Sequence, residues 1–256
     1  MIIDKPAAGQ ISGLWDLWRE AFGDSGEFLE AFFDTAYSPE RCLCAAEDAR
    51  VAAAVYWFDC TVRGKKVAYV YALATALEYR GRGIAHRLMD TLHRTLEQRN
   101  YEGVVLVPGT PGLQTFYGSM GYYHCCSVTE FVCTGAAEEV QLRRVTPEEY
   151  AQQRRDILAL LEPDAVIQEN ENLAFLATQA ELYSGQNFLL AACNDADTLV
   201  GIELLGDPQT APGIVRALGY TKGTFRTRGP GKPFAMYRPL SGSTLPAPTY
   251  FGLAFD

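Results

Sequence analysis

Residues 80–85 read Arg80-Gly81-Arg82-Gly83-Ile84-Ala85 and separate a strand-like run (67–77) from a run whose apolar positions Ile84, Leu88, Met89, Leu92 and Leu96 recur at helical spacing. Glycines at such a junction let the N–H groups of an unpaired helix start point into one concavity, where the helix dipole adds positive potential. That arrangement holds phosphate, and Arg80 and Arg82 can add charge-assisted contacts. A P-loop is excluded, because no Gly-x-x-x-x-Gly-Lys-Ser/Thr run is present. A dinucleotide fingerprint is excluded too: His86 stands where its third Gly or Ala belongs, and the next apolar run (103–107) ends in Pro108 rather than an acid. What remains is Arg/Gln-x-x-Gly-x-Gly/Ala, met by Arg80 through Ala85.

The elements that must position this bend are legible around it. Ile2-Ile3 suggests a first strand; Ile11, Leu14, Leu17, Trp18 and Phe22 recur at helical spacing before Gly23, and Phe28, Leu29, Phe32 and Phe33 mark a second helix. Residues 42–47 and 51–58 read as strands of a hairpin around Asp48-Ala49-Arg50. The helix from Gly83, the strand 103–107, a short helix near 112–119 and a strand near 122–133 complete a first half. In the second half, 140–145 reads as a strand, Thr146-Pro147-Glu148-Glu149 as a helix start, 170–184 as holding a helix, and 188–193 with 198–205 as a hairpin. "PGIVRALGY" (212–220) echoes "PGLQTFYGSMGY" (111–122), so the second half reads as a copy lacking the counterpart of residues 67–107. The expected division is therefore 1–135, 136–240 and an apolar-ended tail, 241–256.

Composition limits what such a site serves. With 256 residues and 48% hydrophobic content a sizeable core is available, and a net charge of −9 argues against nucleic-acid or membrane partners. The first residues lack a basic region followed by an apolar core, and no 18 apolar residues run together, which predicts a soluble cytoplasmic protein. The seven cysteines and three histidines show no zinc-like spacing, so reduced packing cysteines and no metal are expected.

The bend and its surroundings resemble the GNAT acetyltransferases. "LATALEYRGRGIA" (73–85) is similar to the family's strand-then-Glu-Tyr-Arg-Gly-Arg-Gly-Ile phrasing, and "FYGSMGY" (116–122) to its Phe-Tyr-x-x-x-Gly-Phe/Tyr signature. The resemblance covers about half the chain, and the second half resembles a shortened copy. It implies an α+β fold with a mostly antiparallel central sheet flanked by helices, and acetyl-CoA as cosubstrate with its pyrophosphate in the loop Arg80, Gly81, Arg82, Gly83, Ile84 and Ala85. It further implies main-chain donors to the thioester around Leu73, Thr75 and Leu77, and Tyr117 as general acid to the leaving thiolate. The bland reading of Tyr117 is a half-buried aromatic ending a short helix. The sequence departs from the family at Leu77, where Pro is frequent, and at Pro108–Gly112, where an Asn is frequent.

The expected reaction is acetyl transfer from acetyl-CoA to a primary amine of a small molecule or peptide. Because an alkyl ammonium has a pKa of about 10.4, a base or water must take its proton. Glu78, Glu47 and His124 are candidates, and a terminal carboxylate at Asp256 is another, by analogy with tandem relatives. Glu78 is commonly structural in the resembling motif. His86 and His93, seven residues apart, are expected to line the surface of the long helix. The second half, lacking the bend, is expected to wall the acceptor groove or support a homodimer. A non-catalytic coenzyme A sensor is the rival from another class.

Overall fold

Short polar caps set where the chain turns into helices: Ser25 accepts from the Phe28 N–H, Thr110 from Leu113, and Thr146 from Glu149. The computed structural model of the protein describes residues 1–47, 50–137 and 140–255. The first half runs β1 (Ile2–Asp4), α1 (Ile11–Phe22), α2 (Gly26–Thr35), β2 (Cys42–Glu47), β3 (Arg50–Val62), β4 (Lys65–Thr75), α3 (Ile84–Gln98), β5 (Gly103–Leu106), α4 (Pro111–Gly118) and β6 (Tyr123–Thr134). There follow β7 (Leu142–Arg144), α5 (Pro147–Leu161), β8 (Ile167–Gln168), α6 (Glu171–Gln179), β9 (Glu181–Gly185), β10 (Phe188–Asp195), β11 (Thr198–Gly206), α7 (Ala211–Ala217), β12 (Lys222–Arg228) and β13 (Lys232–Pro239).

Among the described residues the strands join one sheet in the order β1-β2-β3-β4-β5-β13-β6-β12-β11-β10-β9-β7, with β8 on β3. Its pairs are antiparallel except β4–β5 and β11–β12. The expected mixed α/β architecture with a mostly antiparallel sheet is present. The centre of the sheet is an exchange. Strand β13, late in the chain, closes β5 through Met236↔Leu106, while β6, from the first half, closes β12 over Lys222↔Thr134 to Arg228↔Val128. β13 and β6 in turn pair with each other.

This topology corrects the sequence echo between 111–122 and 212–220. Helix α7 lies between the parallel neighbours β11 and β12, the place α3 takes between β4 and β5. The second half therefore has a long strand, a helix and a next strand in that position, in shortened form. The echo misleads because α4 and α7 share their punctuation, a Pro near the start and a Gly-Tyr after the end, which short helices use wherever they occur.

The main core runs through both halves. Leu14, Trp18, Phe32, Tyr56, Leu88 and Val105 pack in the same buried cluster as Tyr150, Leu158, Phe175 and the tail residues Tyr250, Phe251 and Leu253. The apolar end of the tail is thus docked on this core. A smaller cluster, including Leu190, Leu204, Ile214, Val215 and Phe225, lies at the far end of the sheet.

One charged group is sealed inside. Arg154 on α5 grips Glu203 on β11 at 2.7 and 3.0 Å, the Tyr150 and Tyr250 hydroxyls donate to the same carboxylate at 3.2 and 2.9 Å, and neither charged side chain has appreciable exposure. Sharing its charge among four donors offsets the desolvation that would otherwise make a buried carboxylate costly. Because Tyr250 belongs to the tail, the same cluster anchors residues 249–255. They are also held by Val166 N–H on the Tyr250 carbonyl at 2.9 Å and Gln168 on the Leu253 carbonyl at 2.6 Å.

Candidate active site

At the bend, β4 leads through a 3-10 turn (Leu77–Tyr79) into Gly81 (φ 74°) and Gly83 (φ 71°), both left-handed. A Cβ at either would meet nothing within 4 Å, so glycine is required by conformation and leaves the approach open. Gly83 is the N-cap of α3 and makes no side-chain cap. The N–H groups of Ile84, Ala85 and His86, at the start of a 15-residue helix, are thereby presented to an anion. Arg80 donates from Nε to the Thr75 carbonyl at 2.9 Å, and Arg82 donates to the Glu78 carbonyl at 2.8 Å while lying over the Tyr79 ring at 5.3 Å. Both guanidiniums brace the loop and keep positive charge beside it. The helix itself is fixed by Ile84, Leu88, Met89, Leu92 and Leu96, all buried.

Beside the bend, the two parallel strands part. β4 pairs with β5 only from Val67↔Gly103 to Tyr69↔Val105, and past Tyr69 the ladder ends. On its other edge β4 carries a register shift against β3 between Tyr71 and Ala74, with Ala72 at φ 53°. The Ala76 N–H is bonded to the Ala52 carbonyl in β3. Alternation along the strand therefore turns the Leu73 and Thr75 N–H groups away from β3 into the gap. Leu77 differs from expectation: its N–H donates to Glu20 Oε1 at 2.6 Å, since the last turn of α1 reaches across to it.

The gap opens into a cavity of about 1140 Å³. Tyr71, Ala72 and Leu73 of β4, Leu106 and Val107 at the end of β5, and Tyr117 of α4 line it together. Tyr117 is 7% exposed, lies edge-on to Phe116 and Tyr122, and burial pushes its phenol up to about 12. It is protonated at neutral pH and lines the cavity. Thr75 at the end of β4 and the bend Arg80–Ala85 beyond it do not line this cavity, whereas Leu73 and Tyr117 line it together.

Other candidates do not. Glu78 is ion-paired with Arg50 on the surface, and Glu47 sits opposite Arg50 at the end of the β2–β3 hairpin. His124 lines a different cavity, of about 640 Å³, with Cys125, Cys126 and Tyr250. Asp256, like Asp48 and Ala49, lies outside the described residues. His86 is exposed as expected, but His93 is buried, a correction: its ring meets the Tyr122 hydroxyl at 2.8 Å and Arg238 of β13. Burial, with Arg238 adding to it, pushes His93 down to about 3 and keeps it neutral.

Sequence reasoning missed the far wall of the cavity. Asp24, in the turn between α1 and α2, lines it and accepts from the Trp18 indole at 2.8 Å. Trp18, Phe22, Phe28, Phe175 and Phe255 gather there from three helices and the tail. No spacing rule links them, because they meet only through tertiary packing. The seven cysteines are free, no cluster of three or more metal-binding side chains exists among the described residues, and no helix among them is long and apolar enough to cross a membrane.

The sequence pattern of the acetyltransferase (GNAT) domain family matches residues 3–125. No curated protein matches the chain in sequence. Among solved structures, a GCN5-related N-acetyltransferase from Kribbella flavida is similar at 16% identity and a TM-score of 0.72, over 93% of this chain and 70% of that one. One from Anabaena variabilis is similar at 16% and 0.70, over 93% and 72%. A chain from Pyrococcus horikoshii is similar at 14% and 0.64, over 98% and 93%. At these identities the structures establish the fold, which extends over nearly the whole chain, while the sequence match covers the half that carries the bend, the parted strands and Tyr117. Through residues 3–125, the chain belongs to the GNAT acetyltransferase family.

Proposed function

We propose that the protein transfers an acetyl group from acetyl-CoA to a primary amine, with one cofactor site per chain. The observation that carries this reading is the union of an uncapped, glycine-entered helix start with parted parallel strands whose gap leads to a buried, protonated tyrosine. The N–H groups of Ile84, Ala85 and His86 would receive the pyrophosphate of the cofactor, with Gly81 and Gly83 clearing the approach. The pantetheine arm would run along the free edge of β4, taking up the unused Leu73 and Thr75 N–H groups as a third strand edge would.

With the thioester there, a neutral amine attacks its carbonyl carbon, the new C–N bond forms, and charge collects on the carbonyl oxygen before the C–S bond breaks. Fixed backbone donors facing such an oxygen are worth about 3–4 kcal/mol. Tyr117 donates a hydrogen bond to the departing sulfur, and its raised pKa keeps that proton in place until the thiolate forms. The amine proton leaves through water. Residues 1–135 would hold the reacting groups, while 136–240 and the tail supply β13 and, through Phe175 and Phe255, part of the far cavity wall. The free cysteines support a reducing, cytoplasmic setting.

Calorimetric titration of the full chain with acetyl-CoA, followed by thiol release on addition of pooled amines, tests the reading. One molecule bound per chain and amine-dependent thiol is expected. Binding without thiol release under any amine favours the sensor; no binding overturns the proposal.

A further inference from the structure

The cavity is larger than an acetyl-pantetheine arm requires, and its two ends differ. At one end β6, β10 and β12 contribute polar groups, among them the ion pair of Glu130 with Arg226 and the Thr224 and Cys193 side chains, beside Val200, Gly201 and Ile202 of β11. The other end is a cup of rings: Trp18 and Phe22 from α1, Phe28 from α2, Tyr71 from β4, Phe175 from α6 and Phe255 from the tail. The rings touch in sequence, with centroids 5.5 Å apart for Trp18–Phe22, 5.7 Å for Trp18–Tyr71, 5.7 Å for Tyr71–Phe255, 5.2 Å for Phe255–Phe175 and 5.5 Å for Phe175–Phe28. Five separate segments thus each bring an aromatic group to one place.

The cup is not merely core. Phe22 is 46% exposed, and Phe28, Tyr71 and Phe255 are only half-buried, all with surface on the cavity. Apolar surface of this kind, rimmed by polar groups, marks a place where something apolar is received. Besides the Tyr71 hydroxyl, Asp24 and Gln179 bring polar groups to this end, and Asp24 brings its charge. A carboxylate within an aromatic cup attracts an ammonium by charge and by the ring faces together. The same scarcity of polar groups works against a peptide: its backbone N–H and C=O groups would lose water there and find few partners.

We infer that the acceptor is a small primary amine carried on an aromatic body, its ring seated in the cup of Trp18, Phe22, Phe28, Tyr71, Phe175 and Phe255 and its ammonium drawn in by Asp24. This rests on the acetyl-transfer reading of the same cavity. The acceptor ammonium gives one proton to water; the neutral nitrogen forms a C–N bond to the carbonyl carbon of the thioester that enters between β4 and β5, the C–S bond breaks, and the second nitrogen proton passes to the departing sulfur, giving the acetamide and coenzyme A as its thiol.

The full chain with saturating acetyl-CoA is assayed against 2-phenylethylamine, ethylamine, spermidine and the tripeptide Phe-Gly-Gly, following thiol release and the acetylated product by mass. The expected result is a kcat/KM for 2-phenylethylamine roughly tenfold or more above each of the others, the discrimination an apolar pocket of this size supports. In Phe22→Ala, whose side chain is already nearly half exposed and whose fold should survive, that preference should collapse through KM. In Asp24→Asn, KM for 2-phenylethylamine should rise. Both variants should bind acetyl-CoA as the parent does.

Preference for spermidine, or no preference with thiol release intact, overturns the acceptor assignment and leaves acetyl transfer standing. Faster acetylation of Phe-Gly-Gly overturns it in favour of a peptide terminus. Retention of the full preference in Phe22→Ala removes the cup as its cause. Absence of acetyl-CoA binding overturns both readings together.

Discussion

Two strand-to-helix junctions occupy matching places in the sheet, and they are finished in opposite ways. At β4–α3 the chain passes through Gly81 and Gly83, leaves the helix start without a side-chain cap, and lays two arginines alongside. At β11–α7 it passes through Gly206 into a 3-10 turn (Pro208–Thr210) that runs straight into α7; Asp207 accepts from the Gln209 N–H of that turn at 3.0 Å, and α7 itself carries no side-chain cap. Gly206 has no room for a side chain, since a Cβ there would lie 2.1 Å from the Asn187 carbonyl oxygen. One junction presents amides and positive charge to the outside. The other supplies its own carboxylate, closes against its neighbour and starts a helix of only seven residues. The same topology can therefore hold an anion or merely hold the sheet, depending on whether the donors are left unspent.

If this contrast is right, charge in the second half serves structure. Glu203→Ala, which would strand Arg154 in the interior, should cost about 3–5 kcal/mol of stability by urea unfolding. Acetyl-CoA affinity of the folded fraction should be unchanged; a selective loss of binding would blur the division. Chemistry, conversely, should sit beside the open junction. Tyr117→Phe should lower kcat by roughly 100-fold with the acetyl-CoA Kd retained, read by thiol release and calorimetry.

The junctions can then be exchanged in part. Gly83→Asp places a carboxylate and a strained φ at the open helix start, and acetyl-CoA should bind roughly tenfold more weakly. Its mirror, Asp207→Ala, should cost about 1 kcal/mol in thermal unfolding and create no second site, since α7 is short and its start buried.

The smallest effect near neutral pH concerns His93, which ties α3 to Arg238 on the exchanged strand. Its folded pKa of about 3 lies below the ordinary 6.5, so the unfolded chain takes up a proton that the folded one refuses. Its contribution is intact above pH 6.5 and is lost as the pH falls toward 3, by up to about 1.4 kcal/mol per pH unit. His93→Gln should flatten that part of the stability profile.

The local parts of this molecule were legible in the order of its residues. Apolar spacing marks α1, α2 and α3, and Gly81 and Gly83 announce a left-handed entry to α3 because few other residues adopt it. Tyr117 could be singled out because its neighbours form a recognisable run. What could not be read depends on distant partners. Phe175 and Phe255 reach the cavity from α6 and the tail, and nothing near them in sequence marks that destination. His93 looks like a surface residue until Tyr122 and Arg238 fold over it. The Leu77 amide looks available until Glu20 arrives from α1. The echo of 111–122 in 212–220 shows the reverse error, where similar punctuation suggested a correspondence that strand pairing does not support.

The crossing of β13 into the first half also sets an order of events during synthesis. When residues 1–135 have left the ribosome, β5 has β4 on one side and an open edge on the other, awaiting Met236 through Pro239 more than a hundred residues later. An unpaired edge is a template for wrong partners. Residues 136–235 are thus synthesised while that edge stands open, and the arrival of β13 is what closes it.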